Sequence, residues 1–237
     1  MTKDYTDSPI LITGAARSGT SMIGACVHLC GAWKGDTGGP SKYNAKGMYE
    51  NLPLRQDVVK PLLRGLKSDP RGQYPLPLTD NILIPQKFKQ TVIDSITKQG
   101  WTPDKPWMYK CAKMSLIWPV WQYAFPDSKW IIVRRKTPDI VNSCMKTGFM
   151  TEFQNEDTQK KIKVDTEAEG WKWWVNRHED KFVEIINAGL DVKTVWPERM
   201  IHADYTQMMQ AIEWLGLKWN GPGVIDFIEP RLWKSRR

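Results

Sequence analysis

An α/β single domain, with a central parallel sheet flanked by helices, is the fold class this sequence predicts, and three observations carry it. Short apolar runs of strand length recur along the chain and read as strands buried on both faces. Stretches of helical period separate them, an alternation that places helices on both sides of a parallel sheet. The first apolar run also ends in a glycine-bearing turn that opens directly into a helical stretch.

Taken in order, the predicted strands are residues 9–13, 107–111, 129–134 and 192–196. Helices are predicted over 19–29, 52–66, 86–99 and 118–125, the last with Pro119 at a first helical position, where its missing N–H is not needed. Thr137-Pro138-Asp139 reads as a helix start: a hydroxyl cap, a proline, then an acid near the positive dipole end. A long helix is predicted over 166–187, with Trp171, Trp174, Val175, His178, Phe182, Ile185 and Ile186 on one face. Another, 206–215, stops at Gly216. Loops fall at 34–47, 67–85 and 148–164; the last is long and polar and is expected as a mobile lid or substrate loop. None has the composition of an interdomain linker and no internal repeat occurs, so residues 1–237 read as one domain.

Composition narrows the function classes. With 41% hydrophobic and 25% charged residues, disorder and collagen-like repeats are excluded. No apolar run reaches the roughly 18 residues of a membrane span. Residues 1–8 are polar and the apolar run after them is short, so no secretory signal is expected. Cys26, Cys30, Cys111 and Cys144 lie within apolar stretches, and His28, His178 and His202 are scattered. Neither a disulfide framework nor a metal site is therefore expected, and the setting reads as reducing and cytoplasmic. Lys and Arg total 34 against 26 Asp and Glu, a net charge of +8 that suits an anionic partner: nucleic acid, acidic glycan or a phosphate-rich nucleotide. Of the 13 tryptophans, most are expected in the core and some along a cleft for a sugar or aromatic acceptor.

The turn after the first strand, Gly14-Ala-Ala-Arg-Ser-Gly19-Thr20-Ser21, has the spacing of a nucleotide phosphate loop. Glycines let the backbone curl around an anion, and the helix N-terminus presents N–H groups with a positive dipole. Thr20 stands where the loop lysine belongs and Arg17 is the nearest cation, which argues against a nucleoside triphosphatase. The third strand ends in Arg134-Arg135, and the following helix carries Ser143. Arginines there point into the crevice where α/β sheets bind ligands, and the guanidinium fork suits a phosphate monoester. Lys110 and Lys113 end the second strand, so three strands deliver cations to one edge of the sheet.

Arg17-Ser18-Gly19-Thr20-Ser21 resembles the 5′-phosphosulfate-binding loop of sulfotransferases that use 3′-phosphoadenosine 5′-phosphosulfate (PAPS). Trp130-Ile-Ile-Val-Arg-Arg135, with Pro138, Asp139 and Ser143, resembles their 3′-phosphate-binding strand and helix, and the eight-residue step to Ser143 favours Arg135 over Arg134. The stretch 107–126, with Lys110, Lys113, Trp121 and Phe125-Pro126, is similar to a bacterial segment of the family, and Asp204-Tyr205 through Gly216 to its closing strand and helix. The likeness extends to the bacterial, carbohydrate and tyrosylprotein branches and implies a P-loop NTPase-like sulfotransferase fold. It implies PAPS as sulfuryl donor and 3′-phosphoadenosine 5′-phosphate (PAP) as product. In-line transfer would go to a hydroxyl or amine of a small-molecule, glycan or phenolic acceptor, with no metal, nucleic acid or membrane partner. Arg17, Ser18, Gly19, Thr20 and Ser21 would cradle the 5′-phosphosulfate, Arg135 and Ser143 would hold the 3′-phosphate, and Lys110 would stabilise charge on the bridging oxygen.

Two departures matter. Ala112 stands where cytosolic members place a histidine base, and Lys113 replaces the arginine of the bacterial pattern. Another group must take the acceptor's proton. Gly47-Met-Tyr-Glu-Asn51 resembles the family's "G-Y-x-E" stretch, so Glu50 is the expected carboxylate base, with Asp36 and Asp57 behind it. The plainer role for Glu50 is to sit at the positive end of the helix that follows. His28 reads as a core residue, and His178 and His202 have no identified partner. The end of the chain, 231–237, holds four cations that would close over the 3′-phosphate or stay solvated. Two rival functions stay open on the residues alone: a small-molecule or nucleotide kinase, and a non-enzymatic nucleic-acid or acidic-glycan binder with steep salt dependence.

Overall fold

The computed structural model describes residues 3–42 and 44–233. Four strands, β1 (Ile10–Thr13), β2 (Met108–Lys110), β3 (Lys129–Val133) and β4 (Val192–Val195), pair side by side in the order β2-β1-β3-β4, all parallel. Ile12 lies opposite Lys110 on one side and Ile131 on the other. The α/β fold read from the sequence is therefore the observed one.

Strand side chains alternate between two cores, as the period of a strand requires. Leu11, Tyr109, Trp130 and Ile132 pack with α3 (Phe88–Thr97), α4 (Trp118–Ala124) and Phe182 and Ile185 of the long helix. Ile10, Ile12, Met108, Ile131 and Val133 enter the other core. There they meet α1 (Thr20–Leu29), α9 (Thr206–Trp214) and α10 (Gly221–Phe227). A third cluster lies beyond the sheet, where α5 (Thr137–Met145) packs on α7 (Glu167–Asn187) through Ile140, Cys144, Trp171, Trp174 and Val175. Thr166 caps α7: its hydroxyl accepts the Glu169 N–H at 3.2 Å, and the Glu169 carboxylate accepts the Asp165 N–H at 3.0 Å. Short α8 (Pro197–Ile201) follows β4.

Four expectations change. The helix predicted over 52–66 is a π-helical turn, Leu54–Val59, continued by α2 (Lys60–Gly65). Pro61 has no N–H for the carbonyl four residues back, so regular α-pairing cannot run through it. Thr137 makes no cap bond; Lys136 occupies the cap position and Thr137 already lies inside α5. The segment 148–164 is not a bare loop but a 3-10 turn, Glu152–Gln154, and α6 (Glu156–Ile162), capped by Asn155. Buried Phe153 holds it: its ring lies 4.6 Å from that of Trp171, and a Cβ added to Gly170 would meet it at 2.6 Å. Ile186, expected on the buried face of α7, is 51% exposed. Of the basic chain end, Lys234, Arg236 and Arg237 lie outside the described residues.

Candidate functional site

Two adjoining cavities open at the carboxyl ends of β1, β2 and β3, the edge where open α/β sheets bind ligands. The first, about 430 Å³, is walled by Arg17, Gly19, Thr20, Ser21, Arg135 and Ser143, and also by Phe227 and Trp233. The second, about 280 Å³, is walled by Glu50, Arg55, Lys60, Lys110, Lys113, Trp174 and His178. Arg17, Thr20, Ser21 and Asn44 belong to both.

The β1–α1 turn builds the shared wall. Only glycine fits at position 14, because a Cβ there would lie 2.4 Å from the Val133 carbonyl of β3. Gly19 has φ 100° and precedes α1 without any side-chain cap, so the unpaired N–H groups of the first turn face the cavities with the helix's positive end. Arg17 takes a left-handed conformation, φ 74°, that non-glycine residues rarely hold. Its Nε donates to Ser143 Oγ at 3.0 Å, and Arg135 Nη1 donates to the Arg17 carbonyl at 3.1 Å. The loop, the end of β3 and α5 are thus tied together. Ser18 differs from its neighbours: its hydroxyl is buried without a hydrogen-bond partner and lines neither cavity.

Arg134 and Arg135 part company. Arg134 pairs with Glu179 of α7 and lies over the Trp196 ring at 5.5 Å. Arg135 is buried in the cavity wall, 3.9 Å from Asp139, with its guanidinium 4.1 Å from the Trp233 ring centroid.

Glu50 is the centre of the second cavity. Its buried carboxylate lies 3.0 Å from Lys113 Nζ, 3.7 Å from Lys110 Nζ and 4.0 Å from Arg55 Nη1, and it accepts the Cys111 thiol at 3.1 Å. Burial alone would raise its pKa, but Lys113, Lys110, the thiol and Arg55 outweigh burial and bring it to about 2. Glu50 is therefore an anion across the physiological range, and a weak base while all three cations surround it. It does not serve the helix end; Asn51 Oδ1 does, accepting the Leu54 N–H at 3.1 Å. Burial lowers the Lys110 pKa in spite of Glu50. Burial also works against the Lys113 charge, but Cys111 and Glu50 prevail and raise its pKa. Asp36 and Asp57 are exposed and line neither cavity.

Arg55, Lys60 and His178 are wall residues that the sequence analysis gives no role. His178, on the buried face of α7, lies in the second cavity with Nδ1 3.1 Å from Ser115 Oγ and its buried Nε2 unpaired. Burial and then the Lys113 charge lower its pKa to about 3, so the ring is neutral. Its signal was the apolar stripe of the long helix; which helix would reach the site was not encoded locally. His28 is half-buried rather than core, with Nδ1 3.0 Å from the Ala32 carbonyl, and His202 is exposed.

The sequence matches no family model and no curated protein. Solved structures do match. Sulfotransferase STF9 from Mycobacterium avium superposes with a TM-score of 0.53 at 14% identity, over 92% of this chain and 66% of that one. Sulfotransferase STF1 from Mycobacterium tuberculosis H37Rv gives a TM-score of 0.48 at 13% identity, over 93% of this chain and 71% of that one. The chain thus spans about 66% of the length of STF9, and what it shares with that protein is the sulfotransferase fold.

Proposed function

We propose that the chain is a sulfotransferase that moves the sulfuryl group of PAPS to a hydroxyl or amine acceptor and releases PAP. The observation that carries this reading is the shared wall: Arg17, Thr20 and Ser21 face both cavities. A group seated there is open to a nucleotide on one side and to an acceptor on the other, as in-line displacement requires.

The residues present fit the donor. It carries two separated anionic groups, and five cations line the first cavity, among them Arg17, bonded to Ser143 at the α1 N-terminus, and Arg135 beside Asp139. A cavity of about 430 Å³ is of ligand size, and the rings of Trp233 and Phe227 offer apolar faces to a base. When bound, the donor supplies a sulfuryl group activated by its phosphate leaving group. Arg17 and the first-turn N–H groups of α1 would hold and orient that end and neutralise charge on the leaving phosphate. Lys110 would turn from Glu50 toward the same oxygen. Loss of that cation makes the Glu50 carboxylate more basic at the moment it is needed, and its oxygen takes the acceptor proton.

The direct experiment supplies PAPS with a mixture of hydroxyl and amine acceptors and follows PAP and sulfated product. PAP release that depends on an acceptor is expected. Magnesium-dependent consumption of ATP, with no acceptor-dependent PAP, would move the assignment to a kinase.

A further inference from the structure

We infer that the acceptor carries an anionic group, a carboxylate, sulfate or phosphate, close to the atom that takes the sulfuryl group. This deepens the sulfotransferase reading of the same site and rests on it.

The charge balance of the second cavity is the starting point. Arg17, Arg55, Lys60, Lys110 and Lys113 line it against a single acid, Glu50. A sixth cation, Arg71, is already answered by Asp69 at 3.6 Å and Glu152 at 3.5 Å. The donor accounts for Arg17 and Lys110. Arg55, Lys60 and Lys113 are left with one carboxylate among them.

The side chains themselves show what is missing. The Lys60 ammonium makes no hydrogen bond or ion pair among the described residues, and its pKa is lowered, by burial first and then by Arg55, Lys113 and Arg64, against the pull of Glu50. Arg55 Nε is buried with no hydrogen-bond partner, while its Nη1 reaches only Met48 Sδ at 3.9 Å and Glu50 at 4.0 Å. Buried N–H groups of a cation are costly without an acceptor. A neutral acceptor would leave Arg55 Nε in that state and displace water from the half-buried Lys60 ammonium. An anionic one supplies the acceptor oxygens. Phe149, Trp174 and Met48 add an apolar wall suited to a ring, and about 280 Å³ admits a small molecule or the reacting end of a larger one. An anion on Arg55 and Lys60 also draws Arg55 from Glu50, which makes that carboxylate a better base.

The test is calorimetric binding, with and without excess PAP, of matched hydroxyl compounds. One series is benzyl alcohol and 4-(hydroxymethyl)benzoate. Another is methyl glucoside, glucuronate and glucose 6-phosphate, so that carboxylate and phosphate are read separately. At least one anionic member should bind about tenfold or more tightly than its neutral parent, the effect of gaining a charge-assisted bond. Lys60→Met should remove most of that advantage, and Arg55→Gln, which keeps a hydrogen-bonding group, should do the same. Equal binding of neutral and anionic members, no binding by any anionic member, or a preference unchanged in both variants would overturn the inference. PAP titration is the separate arm. If PAP fails to bind while the anion preference and its loss in Lys60→Met persist, the donor assignment falls and the anion site stands.

Discussion

The groups proposed to hold the donor in the first cavity come from two unbroken stretches, 17–21 and 135–143, whereas the second cavity collects Glu50, Lys60, Lys113 and His178 from four separate segments. The difference extends to the physics. Beside the first cavity the backbone itself offers polar groups, through an uncapped helix end and a glycine turn. The second is a coupled set of buried charges, in which Glu50 balances three cations at once. A change in the first cavity should therefore act on one ligand, and a change in the second on proton transfer, charge balance and stability together.

The largest expected effect is at Glu50. Glu50→Gln should lower turnover by roughly 10²–10⁴-fold, the contribution of a positioned base. It should also destabilise the protein by about 3 kcal/mol or more, because Lys110, Lys113 and Arg55 lose their shared buried partner. Steady-state kinetics and chemical denaturation read the two separately. Lost turnover with unchanged stability would mean that the cations do not depend on Glu50, and the contrast between the cavities would fail.

Next comes the division of labour along the shared wall. Arg17→Ala should lower kcat, since Arg17 faces both cavities. Arg135→Ala should mainly raise the KM for PAPS, by about tenfold or more, because that side chain lies in the first cavity alone. The same pattern of kcat and KM in both variants would show that the two positions act as one unit.

The smallest effect is a pH slope. The pKa of His178 falls on folding from 6.5 to about 3, so the unfolded chain takes up its proton first. Its share of stability is complete above the unfolded value and is lost as pH falls from about 6.5 toward 3. Between pH 7.5 and 5, His178→Gln should show a shallower fall of Tm than the parent chain. Parallel curves would mean that His178 does not stay neutral on folding.

The two cavities were not equally legible. The four strands, the glycine turn after β1 and the placing of Arg135 and Ser143 on one cavity could be read because strand period, glycine spacing and strand-end arginines are local patterns. Glu50 could be named from a short stretch, but its cage could not, since Lys110, Lys113 and Arg55 meet it only in the folded chain. His178 looked like one more buried position of α7, and the packing of that helix against α5 and Ser115 decides that its Nε2 meets the site. The order of segment 148–164 is hidden in the sequence for a related reason. Its polarity hides Phe153, which together with the bonds of Gln73 to the backbone of 149–152 orders what composition alone makes a loop.

We propose above all that the first cavity is a nucleotide site that reads a 3′-phosphate through Arg135 and Ser143. Calorimetric titration of PAP against AMP tests it most directly, since the two ligands differ by that one group. PAP should bind at least about tenfold more tightly than AMP, the effect of one charge-assisted interaction, and Arg135→Ala should remove most of the difference. Equal affinity for PAP and AMP in the parent chain would contradict it.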